Sequence, residues 1–259
     1  MMKTNIHTRI LRSHLLILLS LLLSAQTLQA TSKAEADALY NAEQYQKAAA
    51  AYSQILKTQG VAAEIYYNLG NCYYKMDSIP LAILNYERAY VLDPGDNDIR
   101  NNLTFARGKT IDKVVPPSKM FFVTWWNDFT HLQSIDAWAL QAVILFIISL
   151  VSLLVYFLSF NIRVRKVAFS LSMLLLAVVV LHNLAAYSQY SELKHHAAAI
   201  IMDSAVSVKS SPSPNSTDLF LIHEGSKVEI LDQTMEHWYE IKFEEGKQGW
   251  IPANSVEVI

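Results

Sequence analysis

Apolar residues along the chain fall into three patterns, and each predicts a different kind of element. Two long runs, Ala137 to Phe160 and Val167 to Tyr187, hold no charged side chain. At ~1.5 Å per helical residue each can cross a hydrocarbon layer of ~30 Å, so they predict a pair of transmembrane helices. Between residues 31 and 110 the apolar positions recur at helical spacing. Beyond Ala205 they alternate in short segments, and five strands are expected: Ala205 to Val208, Phe220 to Ile222, Lys227 to Leu231, Trp238 to Lys242, and Gly249 to Ile251. Turns fit between them at Pro212 to Asn215, at Glu224-Gly225-Ser226 and at Glu245-Gly246-Lys247, where glycine can take φ > 0. Five brief strands over residues 201–259 predict a small all-β barrel.

The helical region repeats itself. An offset of 34 superposes Tyr45 on Ile79, Ala48 on Ala82, Tyr52 on Tyr86 and Ile55 on Ala89. The second copy places Tyr66, Leu69, Gly70, Tyr73, Ala82, Tyr86, Ala89 and Pro94 on the signature positions of the tetratricopeptide family, which it resembles closely. Small Gly70 and Ala82 let two helices approach, and the tyrosines fill the space between repeats. The first copy is more degenerate, with Ala36 at the close-contact position and Leu39 where Tyr73 stands in the second. A further helix is expected from Asp96 or Asn97 to about Lys109, its stripe of Ile99, Leu103 and Ala106 capping the stack. Two repeats and a cap lie near the lower limit for an independent solenoid, so partner contacts or the membrane are expected to contribute to its stability.

Charge orients the apolar pair. Residues 161–166 between the runs carry Arg163, Arg165 and Lys166 and no acid, which predicts a cytoplasmic loop. At the other end of the chain, Lys3, Arg9 and Arg12 precede an apolar run from Leu15 to Leu23 and small or polar residues up to Ala30, the layout of an export signal over residues 1–30. Both signals put the repeats and the barrel outside the cytoplasm: the expectation is a multi-pass protein of the inner membrane with both domains in the periplasm. Residues 111–136, with Pro116-Pro117 and then Phe121, Phe122, Trp125, Trp126 and Phe129, read as a linker and an aromatic segment at the level of the lipid headgroups. Residues 188–200 read as a second linker. The fold class expected is therefore a multidomain membrane protein: an all-α solenoid, a two-helix transmembrane hairpin and a small all-β barrel.

Composition excludes several functions. A formal charge of −2 gives nucleic acid no electrostatic footprint to bind. The single cysteine, Cys72, rules out a disulfide framework and a cysteine-based zinc cluster, and without a resolving cysteine it is better read as a core residue than a redox thiol. No Gly-rich phosphate loop, nucleophile elbow or His-Glu-x-x-His occurs, so neither catalysis nor a cofactor is expected. His195-His196 diverge by about 100° on a helix and lack a third ligand. Residues 201–259 carry ten acids and four bases, a formal charge of −6, which favours a basic partner over an anionic surface.

The C-terminal segment resembles the bacterial SH3 family through Phe220 to Gly225 (Phe-x-x-x-x-Gly), Trp238 to Ile241 (Trp-x-x-Ile) and Gly249 to Pro252 (Gly-Trp-Ile-Pro). That resemblance implies binding of cell-wall peptides or glycans, or protein contact, with Trp238 and Tyr239 as candidate ligand contacts and Trp250 as a packing residue. The tetratricopeptide resemblance implies a concave face that binds extended peptides or partner helices, and places Asp37, Tyr40, Tyr67, Asn71, Tyr74, Asn101 and Phe105 there. Asp37, Asp98 and Asn102 replace three of the five residues of the subgroup that clamps a C-terminal carboxylate, and the acids would repel such a ligand. Taken in order, signal, repeats, paired spans with a basic hinge and terminal barrel resemble the BatE-type proteins of the Bacteroides aerotolerance (Bat) family. This resemblance implies a scaffold in an envelope complex with von Willebrand factor A-domain membrane proteins and other Bat components; membrane lipid and peptidoglycan are the further partners expected.

Overall fold

The computed structural model describes residues 33–113, 120–195, 197–243 and 246–259. The expected export signal, Pro116-Pro117, His196 and Glu245 lie outside them. The repeats come first: α1 (residues 33–41), α2 (Tyr45–Gln59), α3 (Ala63–Lys75), α4 (Ile79–Leu92) and the expected capping helix α5 (Asn97–Arg107). Asp96 caps α5 by accepting from the backbone N–H groups of Asp98 and Ile99.

The period of 34 seen in the sequence is a period in the structure. The turn within each repeat is made by one residue with positive φ, Glu43 (58°) in the first and Asp77 (57°) in the second. Tyr52 Oη donates to Asp37 Oδ1 at 2.5 Å, and one period later Tyr86 Oη donates to Asn71 Oδ1 at 2.7 Å. The paired hydroxyl thus ties the second helix of each repeat to the first.

Two long helices follow a short one, α6 (Phe121–Thr130), and both are long and apolar enough to cross a membrane: α7 (Ile135–Leu158) and α8 (Ile162–His195). Their contact is made by small and polar residues. Ser149 Oγ donates to Ser172 O at 3.1 Å, Ser172 Oγ returns a bond to Ser149 O at 3.2 Å, and Ser152 Oγ donates to Ala168 O at 2.9 Å. Two boundaries differ from expectation. Arg163, Arg165 and Lys166 lie in the first turns of α8 rather than in a loop, because Asn161 accepts from the Arg163 N–H and starts the helix there. Residues 188–195 are likewise not linker: α8 runs on to His195, held by Trp126 Nε1 on Ser188 Oγ (3.2 Å) and Gln189 Nε2 on Gln133 O (2.9 Å).

The C-terminal residues form one antiparallel sheet: β1 (Ala198–Ile201), β2 (Ala205–Lys209), β3 (Asp218–His223), β4 (Lys227–Asp232), β5 (Trp238–Phe243), β6 (Lys247–Pro252) and β7 (Val256–Val258). Their order is β3-β2-β6-β5-β4-β1-β7. The five expected strands are present, and β1 and β7 are additional, so the sheet begins at Ala198 rather than at residue 201. Gly225 (78°) and Gly246 (83°) take the positive φ their turns require. The sheet folds around Val206, Val208, Ile222, Val228, Ile241, Phe243 and Ile251.

The sheet also docks on the repeats. Ile200 of β1 is fully buried in the cluster of Ala82, Ile83, Leu84, Tyr86, Leu103 and Ala106. Glu87 of α4, with no exposed surface, accepts from Arg107 of α5 and from Lys227 of β4 (2.8 Å). Asp112 Oδ2 accepts from the His223 backbone N–H at 2.7 Å and Ser226 Oγ at 2.8 Å, while its Oδ1 meets His223 Nδ1 at 2.9 Å. Arg88 donates to Val258 O at 2.6 Å and pairs with Glu257 at 3.2 Å. The short solenoid is therefore supported by the β domain, whose surface covers α4 as a further repeat would.

Candidate functional site

Three helices, α1, α3 and α5, and the ring of Tyr86 surround a groove of about 280 Å³ lined by Tyr40, Tyr67, Asn71, Tyr74, Lys75, Tyr86, Asn102 and Phe105. A polar network fixes its floor. Asn71 Oδ1 accepts from Tyr86 Oη (2.7 Å) and Asn102 Nδ2 (2.9 Å), and Asn102 Nδ2 also donates to Tyr67 Oη (3.0 Å). Burial pushes the Tyr86 phenol well above its ordinary range, so it stays a neutral donor. Among the described residues this network leaves Asn71 Nδ2 and Asn102 Oδ1 unengaged, so each amide keeps hydrogen-bonding capacity beyond it. Around them stand the aromatic rings, with Phe105 66% exposed and Lys109 Nζ 4.5 Å from the centre of the Tyr74 ring.

Five of the seven expected concave-face residues line this groove: Tyr40, Tyr67, Asn71, Tyr74 and Phe105. Asp37 does not. Its carboxylate is taken by Lys33 (2.8 Å) and Tyr52 (2.5 Å); burial works against its charge, but these two partners hold its pKa below the ordinary value. Asn101 is also off the groove, exposed one residue out of phase with Asn102. Because α5 buries Ile99, Leu103 and Ala106, the residues that flank this stripe on the groove side are Asn102 and Phe105, three apart. Lys75 and Tyr86 were not expected there. The lining holds one cation and no carboxylate, and neither Asp37 nor Asp98 belongs to it.

A second cavity, about 610 Å³, opens on the β domain between Lys209, Pro214, Glu236, His237, Trp238, Pro252, Ala253 and Asn254. Trp238 lines it, whereas Tyr239, pointing to the opposite face of β5, packs against the domain core. The two expected contacts are thus separated. Trp250 is not in the core cluster either: its neighbour Ile251 enters the core, and Trp250 lies half-buried on the other face of β6, opposite Lys209 and Glu240.

Two other groups invite a chemical reading. Asp112, His223 and Ser226 are the residue types of a hydrolytic triad, yet Ser226 Oγ donates to the aspartate rather than to the imidazole, so no nucleophile is activated and the cluster serves docking. Cys72 is fully buried, and burial pushes its thiol up to about 12, far from a reactive thiolate. Among the described residues no three His, Cys, Asp or Glu side chains come close enough to hold a metal ion.

Comparison with known families agrees with both halves. Residues 33–97 match the tetratricopeptide repeat family, and residues 204–257 match the bacterial SH3 domain family. No curated protein matches the chain. The chain carries a tetratricopeptide region and a bacterial SH3 domain, and nothing in either points to an enzyme.

Proposed function

We propose that the chain is a non-catalytic adaptor, anchored in the inner membrane by α7 and α8, that binds protein partners in the cell envelope through the groove of its repeats. The observation that carries this reading is the amide pair in the groove floor. Asn71 Nδ2 and Asn102 Oδ1 match the carbonyl and N–H of an extended peptide backbone, and the surrounding rings supply apolar area for its side chains. Resemblance to BatE-type proteins supports A-domain membrane proteins and other components of an aerotolerance or stress-tolerance complex as the partners. The charge of the α7–α8 connection supports both domains lying in the periplasm. A photocrosslinker at Lys75, on the groove rim, is expected to trap a partner in intact cells. Asn102→Ala with Phe105→Ala should reduce that adduct about tenfold or more. An adduct of unchanged yield in the double variant would refute groove binding.

A second reading rests on the β domain: its SH3 match and the cavity beside Trp238 support peptidoglycan as a ligand. The whole chain in mild detergent is then expected to be retained on purified wall sacculi, and Trp238→Ala to lower retention about tenfold. Equal retention of the two would remove Trp238 from any wall contact.

A further inference from the structure

The hairpin has a groove of its own. At the end where α7 and α8 are joined, a cavity of about 540 Å³ runs between them, walled by Ile148, Val151, Val155, Val164, Val167 and Leu171. Its floor is Ser152 and Ala168, whose small side chains leave the space open. The floor is also dry in character, since the one hydroxyl present, Ser152 Oγ, is already spent on Ala168 O at 2.9 Å. An occupant needs to bring no polar group into the groove.

The mouth is different. Arg163 is the one charged residue of the lining, and Arg165 and Lys166 follow it on α8. No Asp or Glu occurs between Asp136 and Glu192, and both of those belong to the opposite end of the hairpin. Arg165 lies 5.0 Å from the centre of the Tyr156 ring, which leaves its charge uncompensated too. A groove that is apolar along its length and cationic at its mouth is complementary to a molecule with an apolar tail and an anionic head.

We infer that this groove binds one anionic glycerophospholipid, an acyl chain lying over Ser152 and Ala168 and the phosphate meeting Arg163. The inference rests on the reading of α7 and α8 as membrane-spanning. A partner helix or a second copy of the chain would cover the apolar walls equally well, but either would need a carboxylate at the mouth, and this chain's hairpin has none to offer. Lipid supplies the charge and the chain in one molecule.

Native mass spectrometry of the full chain released from mild detergent tests the site, using phosphatidylglycerol and phosphatidylcholine with the same acyl chains. Phosphatidylglycerol is expected to be retained in preference. Arg163→Gln should weaken its retention about fivefold, the effect of one cation at a lipid surface. Val167→Trp, at a side chain 67% exposed, should fill the groove and weaken it as well without disturbing the helix contact. Equal retention of the two lipids, or indifference to either substitution, would overturn the site. So would a dimer mass that Val167→Trp abolishes, which would make the occupant a second copy. Alkaline carbonate treatment of vesicles separates the underlying reading: release of the chain would refute the spanning hairpin itself, whereas a chain that stays in the bilayer and shows no lipid preference refutes the lipid site alone.

Discussion

Glu87→Ala is expected to cost the folded chain about 3 kcal/mol and to loosen the β domain from the repeats. The carboxylate is fully buried on α4 and is shared by Arg107 and Lys227, which reach it from α5 and from β4. Burial by itself would raise the pKa of Glu87, but the Lys227 ammonium and Arg107 guanidinium outweigh burial and hold it below 4.5. Removing the acid leaves two cations facing each other across an apolar cavity. Both cations keep partial access to water, so the cost falls at the lower end of what breaking a buried pair entails. Glu87→Gln keeps the volume and removes only the charge, and should lose most of the same stability. Acid reads the same contact. Glu87 and Asp112 both have depressed folded pKa values, so each contributes stability that is present above its unfolded pKa and fades as pH falls through the folded value. Thermal melts of the intact chain from pH 7 to pH 3 should show wild type losing stability below about pH 4.5, and Glu87→Gln losing less over that window. Parallel curves for the two proteins would mean that Glu87 does not hold the domains together.

What the sequence makes legible follows from the range of the interactions involved. The repeat period, the capping helix and the paired apolar helices rest on contacts between residues close in sequence, and their signatures are written in spacing. The phase of α5 was also there to read: Ile99, Leu103 and Ala106 define a buried stripe, and counting round the helix from it selects Asn102 rather than Asn101 for the groove. Strands β1 and β7 left a weaker trace. Ala198 to Ile201 is too short and too uniformly apolar to alternate, because it is covered on one face by its own domain and on the other by α4. Docking was not legible at all. It joins Glu87 to Lys227 and Asp112 to His223, pairs more than a hundred residues apart that match no local pattern. The one local hint is in α4, IPLAILNYERAYVL, which is apolar around most of its circumference, as a helix enclosed on several sides must be.

Gly70→Val should be strongly disruptive within the repeats, costing about 3 kcal/mol and closing the groove at the same time. A Cβ at position 70 would lie 2.7 Å from both Cδ1 and Cε1 of Tyr86, and 3.3 Å from the Ala82 carbonyl oxygen. Ordinarily a glycine in a helix gains about 1 kcal/mol on replacement by alanine, so stability would rise if space were available. Tyr86 decides the sign. Its ring is 1% exposed and its hydroxyl is held by Asn71, so it cannot swing aside without breaking the network that shapes the groove floor. The first repeat shows how far the geometry can give, for Ala36, one period earlier, is fully buried beside Tyr52. The first repeat accommodates one methyl there, but at position 70 it already meets the fixed Tyr86 ring, so Gly70→Ala should be mildly destabilising despite its gain in helix propensity, and the two further methyls of valine make the loss large. Chemical denaturation of the two variants, alone and with Tyr86→Leu, measures the coupling. Valine should be much less damaging in the Tyr86→Leu background, and strictly additive losses would show that the Tyr86 ring is not what excludes a side chain at Gly70.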